Sequence, residues 1–474
     1  MQYRIEYDSL GEKEVPAEVY YGIQTMRAIE NFPITGIPIS EFPVLIKAIA
    51  SIKEAAAITN KELGLLDAKI CDAIVKASRD VKSGLLNQYF AVDVIQGGAG
   101  TSTNVNANEV IANRALEYLG RKKGEYRYCH PNDHVNLSQS TNDVYPTTLK
   151  IAAIYSIEGL LASMGKLQDS FAIKGEEFKN VLKIGRTQLQ DAVPMTLGQE
   201  FTAYSVTVAE DIERLKEATR LIHEINMGAT AIGTGVNTVE GYVDLVRDNL
   251  IKITSLALVT SPNLVEATSD AGAFVQLSGV LKRIAVKISK ICNDIRLLSS
   301  GPRAGLAEIQ LPAMQPGSTI MPGKINPVIP EVVNQVCFQV IGNDMTITMA
   351  AEAGQLELNA FEPIIGFNIR QSMELLMNAF DVLSKRCVVG IKANVERCNE
   401  FMERSVGLVT ALVPIIGYET AASLAKEALV SDRTIRELII DKGLLSKVEL
   451  EKILDPRAMI HPGVSKTKNT KKIH

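Results

Sequence analysis

The stretch "PGSTIMPGKIN", Pro316 to Asn326, sets two adjacent hydroxyls, a lysine and an asparagine among two glycines and two prolines, with no acidic side chain. Three other stretches share its character: "QGGAGTSTNVN" (Gln96 to Asn106), "NLSQSTNDVYP" (Asn136 to Pro146) and "IGRTQLQDAVP" (Ile184 to Pro194). Each presents hydroxyl or amide side chains on a backbone interrupted by Gly or Pro. Any one of them is accounted for by helix caps and turns, where Ser, Thr and Asn are ordinary. Four together, with Lys324 and Arg186 as cations, suit a small dicarboxylate held by many hydroxyl and amide donors. A cap gives no reason for Lys324 to sit inside a Gly/Pro loop, and an acidic side chain there would repel such a ligand.

Other chemistries fit less well. A phosphate-binding Walker loop needs four residues between its glycines and a hydroxyl after its lysine. Here five residues separate Gly317 from Gly323, and Ile325 follows Lys324. The cluster of Gly97, Gly98 and Gly100 lacks the third glycine and the preceding buried strand of a dinucleotide fold. His130 and His134 lie four apart, but Pro131 and Asn132 between them read as a turn and not as a metal-binding helix face. The six cysteines contain no CxxC pair and are expected to be reduced and buried. With 50 basic against 54 acidic residues, no nucleic-acid partner is implied. The start, "MQYRIEYDSLGEKEVP", carries charges where a signal peptide needs its apolar run, and no membrane-spanning run follows, so a cytoplasmic protein is expected. The basic segment "KTKNTKKIH" reads as a solvated terminus.

What positions the four loops is helical. In "FVQLSGVLKRIAVKISKICNDIRLL", Phe274, Leu277, Leu281, Ile284, Ile288, Ile291, Ile295 and Leu298 recur at alternating intervals of three and four. That repeat keeps one apolar seam turned toward a partner helix over a length of about 36 Å. Similar periods run from Ile151 to Phe171 and through Val208, Ile212, Leu215, Ile222 and Ile225. Strand-like alternation is confined to short pieces near the N-terminus. Long helices of this kind predict a bundle, and seams this long predict a symmetric oligomer.

The opening loop and four further stretches, in chain order "VPAEVYYGIQTMRAIENF", "NEVIANRALE", "SGPRAGLAEI", "GSTIMPGKINP" and "IGYETAASLAKEAL", resemble the fumarase and aspartase superfamily, whose signature loop reads Gly-Ser-Ser-x-x-Met-Pro-x-Lys-x-Asn. Thr319 stands where the second serine is usual, keeping the hydroxyl and adding a methyl. The runs "QGGAGTS", "SQSTNDVYPT", "GRTQLQDAVPMTLGQE" and "NPVIPEVVNQVCFQVIGND" are closer to the branch that deaminates aspartate than to class II fumarases. The resemblance implies a mainly α, three-domain fold with a central long five-helix bundle. The expected partition is 1–142, an N-terminal mostly helical domain; 143–396, the bundle with the signature loop 316–326; and 397–474, a small C-terminal helical domain. It also implies a homotetramer whose active sites are shared between subunits.

The implied reaction is the reversible elimination of ammonia from L-aspartate to give fumarate, with no cofactor required; the residue pattern does not speak to activation by a divalent cation. Carried over from the family, Ser318 is the general base, acting as an alkoxide. Lys324 and Asn326 hold the α-carboxylate, with Thr187 beside them. Thr101, Ser140, Thr141 and Thr319 hold the β-carboxylate, where a second negative charge develops and preorganised donors are needed. Asn142 and Gln188 face the amino group. Gly317, Met321 and Gly323 shape the loop, and Glu331 matches the glutamate that accompanies a histidine in class II fumarases, where this chain has Gln188. The alternatives are a class II fumarase acting on L-malate and a non-catalytic structural relative. The intact set Ser318, Lys324, Asn326, Thr101 and Asn142 speaks against the latter.

Overall fold

The computed structural model describes residues 2–455 and 459–460. The basic segment at the C-terminus lies outside them. Among the described residues the protein is mainly helical, with short two-stranded sheets only. An N-terminal hairpin, β1 (Tyr3–Asp8) and β2 (Gly11–Pro16), precedes α1 (Ile23–Asn31), α2 (Pro43–Glu62), α3 (Ala68–Lys82) and α4 (Thr101–Tyr118). The long α5 (Thr141–Glu177) leads through a second hairpin, β3 (Leu182–Thr187) and β4 (Gln190–Thr196), to α6 (Leu197–Ile222). Then come α7 (Tyr242–Thr254), α8 (Leu264–Ser269), α9 (Gly272–Leu298), α10 (Val328–Glu352) and α11 (Glu362–Arg386), with several short helices after them.

The chain divides into two compact units, each built from separate stretches. The first comprises the chain through Ala162 with Asp211–Ala285 and Cys337–Met377; the second comprises Ser163–Glu210, Val286–Val336 and the chain from Asn378 onward. Each of the five long helices, α5, α6, α9, α10 and α11, contributes one part to each unit. Within the first unit, Asn343 of α10 donates to Gln371 and Ser372 of α11 at 3.0 Å each, and Ser278 of α9 donates to Asp344 of α10 at 2.7 Å. Arg283 of α9 pairs with Asp211 of α6 at 3.1 Å. Within the second, the hydroxyls of Ser170 on α5 and Ser384 on α11 are 2.6 Å apart, and Ser205 of α6 donates to the Gln168 carbonyl of α5 at 3.1 Å. These contacts make a closed order of neighbours, α5–α11–α10–α9–α6, the expected five-helix bundle.

The heptad seam is buried at every position from Phe274 to Leu298. Its cover is supplied within a single chain, so the seam itself does not require a second subunit. The face that does remain open is on α10. From Val332 to Met349 its exposed positions, among them Val332, Phe338, Met345 and Met349, carry no charged side chain.

Two elements differ from the sequence reading. The periodic run through Ile225 stops earlier, because α6 ends at Ile222 and Ile225 lies in a two-residue strand paired with Thr260. The stretch from Ile184 to Pro194, read as a loop, belongs to the hairpin β3–β4, with a bulge between Ile184 and Arg186. Its turn gives no compositional signal. Gln188 (φ 54°) and Leu189 (φ 62°) occupy left-handed positions where Asn-Gly is favoured.

The helix ends follow local chemistry. Asp67 caps α3 by accepting from the Lys69 and Ile70 N–H groups, and Thr434 with Glu437 forms a reciprocal box on a C-terminal helix. That C-terminal region has its own small core around Leu408, Leu424, Leu438 and Leu450. All six cysteines are buried and outside any disulfide, as expected.

Glu362, the first residue of α11, is buried, and its Oε2 has no hydrogen-bond partner among the described residues. Burial pushes its carboxyl up to about 8, opposed by the charge of Lys150, whose ammonium donates to the Glu224 carbonyl at 2.7 Å. The folded value is above the unfolded one, so the stability linked to this proton is complete below 4.5 and is lost as pH rises through about 8. Glu362→Gln cannot ionise. Its melting temperature relative to wild type is expected to climb as pH is raised from about 5 to about 8.5; a difference that stays flat with pH would show that the ionised carboxylate is compensated.

Candidate active site

The sequence-derived residues fall into two sets, one in each unit. Thr101, Ser140, Thr141 and Asn142 belong to the first; Thr187, Gln188, Ser318, Thr319, Lys324, Asn326 and Glu331 belong to the second.

In the first unit, Thr101 opens α4 and Thr141 opens α5. Three consecutive left-handed residues, Gly98, Ala99 and Gly100, deliver the chain into α4. Gly100 has no alternative, since a Cβ there would lie 2.3 Å from the Tyr145 ring. Ser140 caps α5, accepting from the Asn142 N–H at 3.2 Å, while Asp143 accepts from the Ser140 N–H at 3.0 Å. The same buried carboxylate takes the N–H groups of Gly228 and Thr230 at 3.1 and 3.0 Å, tying the cap to the 228–230 loop. Burial raises the Asp143 carboxyl to about 6, against the pull of those bonds and of Lys53.

Pro146, inside α5, has no N–H to offer the Asn142 carbonyl. The Asn226 side chain supplies the missing donor at 3.0 Å, and the Asn142 amide in turn donates to the Ala231 carbonyl at 2.7 Å. The N-termini of α4 and α5 are therefore neighbours, joined directly by the bond from Asn104 Nδ2 to Thr141 Oγ1 at 3.0 Å. Paired helix N-termini carrying hydroxyl side chains favour a bound carboxylate.

In the second unit, the 316–326 loop is tied at its base. The Gly317 N–H donates to the Lys324 carbonyl at 2.8 Å, and Asn326 Nδ2 donates to the Gly317 carbonyl at 2.6 Å. Gly317 is needed for this closeness, because a Cβ would lie 2.4 Å from the Lys324 oxygen. Gly323 serves differently, through its φ of 82°. Ser318 Oγ accepts two backbone N–H groups, from Ile320 at 3.2 Å and Met321 at 2.9 Å. Such donors favour a negatively charged oxygen. Thr319, Lys324, Ile320, Met321 and Ile325 are exposed. Thr187 and Gln188 stand exposed at the tip of β3–β4, and Glu331 lies in the first turn of α10.

Arg186 is not a ligand cation. Its guanidinium donates to both oxygens of the fully buried Glu308, at 2.9 and 3.0 Å, and Lys183 pairs with the same carboxylate at 3.3 Å. It anchors the hairpin and leaves Lys324 as the loop's cation. His130 and His134 share one π-helical turn, but the Nδ1 of each accepts a backbone N–H. Among the described residues, no group of three or more His, Cys, Asp or Glu side chains could hold a metal ion, and no helix is long and apolar enough to cross a membrane. The residues that sequence reading passed over are Asn104, Asp143, Asn226 and Lys53. Of these, Asp143 carries a local signal, the S-x-x-D spacing from Ser140.

Helix N-termini that present hydroxyls in the first unit, and a tied loop carrying a serine and a lysine in the second, suit an enzyme acting on a carboxylate, and sequence comparison places the chain in such a class. A family model described as "Lyase" matches residues 11–342, and one described as "Fumarase C C-terminus" matches residues 408–461. The chain belongs to the fumarase and aspartase superfamily of lyases. It is 56% identical over 459 residues to the aspartate ammonia-lyase of Helicobacter pylori strain J99, covering 97% of this chain and 98% of that one. It is 51% identical over 460 residues to the aspartate ammonia-lyase of Escherichia coli K12, covering 97% and 96%. Among solved structures, a fumarate lyase:delta crystallin from Brucella melitensis bound to cobalt superposes with a TM-score of 0.95 at 56% identity, covering 97% of this chain and 100% of that one. The class II fumarase of Schistosoma mansoni superposes with a TM-score of 0.92 at 38% identity, covering 97% and 99%.

Proposed function

We propose that the protein catalyses the reversible elimination of ammonia from L-aspartate to give fumarate. The observation that carries this reading is the pair of backbone N–H groups on Ser318 Oγ, in a loop whose only cation, Lys324, has no ion-pair partner among the described residues. Ser318, as the alkoxide, takes a proton from the carbon next to the β-carboxylate. The released electron pair moves into that carboxylate, forming an aci-carboxylate dianion. The N-terminal donors of α4 and α5, with Thr101, Ser140, Thr141 and Thr319, meet the second charge. When the pair returns, the bond from the α-carbon to nitrogen breaks, ammonia leaves with its electrons, and the serine proton passes to solvent. Lys324, Asn326 and Thr187 hold the α-carboxylate throughout. No step uses a cofactor.

Gln188 separates this reaction from malate dehydration. A departing hydroxyl needs an acid to protonate it, whereas an α-ammonium already carries its proton. The Gln188 amide has no titratable proton but can accept from an ammonium. A cytoplasmic homotetramer with active sites shared between subunits completes the reading. Its self-association is supported by the uncharged exposed stripe of α10, which a second copy of the same helix would cover. Fumarate followed by ultraviolet absorbance, with L-aspartate or L-malate as sole substrate, tests the assignment. Strong turnover of aspartate and at most a trace with malate is expected, and Gln188→His alone should not create malate turnover. Comparable rates on both substrates would overturn it in favour of a fumarase.

A further inference from the structure

We propose that Asn104 is a positioning residue of the carboxylate pocket, holding the Thr141 hydroxyl so that its single proton is directed to the substrate. The inference rests on the assignment of Thr141 to the β-carboxylate and follows from the polarity of a buried hydrogen-bond chain. Lys53, which is fully buried on α2, is its source. Burial lowers the Lys53 ammonium to about 7, and in its charged form it is a donor only. It donates to Asn136 Oδ1 and to Gln139 Oε1, each at 2.9 Å.

Asn136 must therefore present its oxygen inward, and its own Nδ2 donates to the Gln139 carbonyl at 3.2 Å. The same oxygen can only accept, so Asn104 meets it with its amide nitrogen, at 3.2 Å. The remaining hydrogen of that nitrogen reaches Thr141 Oγ1 at 3.0 Å. Thr141 thus accepts from Asn104 and keeps its own O–H to give elsewhere.

The usual outlet for that proton is closed. Threonines inside helices here return it to the carbonyl four residues back, as Thr59 does to Ala55 at 2.8 Å and Thr148 does to Val144 at 2.7 Å. For Thr141 that carbonyl is Leu137, which already takes Asn60 Nδ2 at 2.9 Å and Gln139 Nε2 at 3.1 Å. Thr141 is half-buried at the first position of α5, and Asn104 lies three residues after Thr101 on α4. The free proton is therefore held where the two helix N-termini meet.

A matched control exists within the same chain of bonds. Asn108 also donates to Asn136 Oδ1 at 3.2 Å, and both asparagines are almost fully buried with an unpaired Oδ1, but only Asn104 touches Thr141. Asn104→Ala and Asn108→Ala are to be compared by melting temperature and by kcat/KM for L-aspartate, together with Thr141→Val and the double variant Asn104→Ala/Thr141→Val. Both alanine variants should lower the melting temperature to a similar degree. Asn104→Ala should lower kcat/KM by about tenfold or more, the scale of one hydrogen bond to a charged group, while Asn108→Ala stays within about twofold. In the Thr141→Val background, Asn104→Ala should cost little more.

Equal kinetic losses in the two alanine variants, or an Asn104→Ala loss that persists in full without the Thr141 hydroxyl, would overturn the proposal while leaving the site assignment intact. An unchanged kcat/KM in Thr141→Val would overturn the assignment of Thr141 and this proposal with it. Should Asn104→Ala not fold, the bulkier Asn104→Leu removes the same two bonds without leaving a cavity, and the same comparison applies.

Discussion

Ser318→Ala is expected to lower turnover of L-aspartate by about three orders of magnitude or more, with melting temperature and oligomeric state unchanged. The kinetic part follows from chemistry: alanine has no atom that can accept the substrate proton. The structural part follows from the loop. Ser318 Oγ accepts the N–H groups of Ile320 and Met321, and these belong to exposed residues that water can reach once the oxygen is gone. The frame of the loop is held elsewhere, by the bonds among Gly317, Lys324 and Asn326, none of which involves the serine side chain. Near-wild-type turnover in this variant would remove Ser318 from the mechanism and reduce its two bonds to an ordinary turn.

Lys324→Ala is expected to reduce kcat/KM for L-aspartate at least about tenfold, because a charge-assisted bond to a carboxylate contributes about 1.5 to 3 kcal/mol. The side chain is exposed and has no ion-pair partner among the described residues, so the substitution breaks nothing in the fold. Its backbone carbonyl still accepts from Gly317 at 2.8 Å, which keeps the loop base closed in the variant. Loss of activity would then report the missing charge and not a collapsed loop. Unchanged kcat and KM would mean that the lysine only shapes the loop and that the α-carboxylate is held by other groups.

The helical frame was readable because its signal is periodic and repeated. The seam from Phe274 to Leu298 is buried at every position the spacing named, and three of the four polar loops proved to be two helix entries and a tied turn. What escaped depends on residues far apart in sequence. Arg186 looked like a ligand cation until Glu308, 122 residues away, was seen to claim it. Lys53 sits in a mostly apolar run with nothing local to mark it, and its acceptor Asn136 lies 83 residues on. The hairpin at 182–196 escaped for another reason, that the residues at its turn have the wrong type for their backbone. Local pattern predicts elements well when side chain and backbone agree, and Gln188 and Leu189 do not.

That disagreement has a practical meaning for anyone engineering this protein. Each non-glycine residue in a left-handed conformation costs about 1 to 2 kcal/mol. A redesign scored on the energy of the folded chain would therefore write asparagine and glycine at positions 188 and 189 among its first choices. Heat-challenge selections would reward the same substitutions, since a relaxed turn raises the melting point whether or not the enzyme still turns over. Leu189 is 71% exposed, so little burial offsets the strain it imposes. Libraries built around this hairpin should be ranked by product formed as well as by survival, because a relaxed turn reports stability and not turnover.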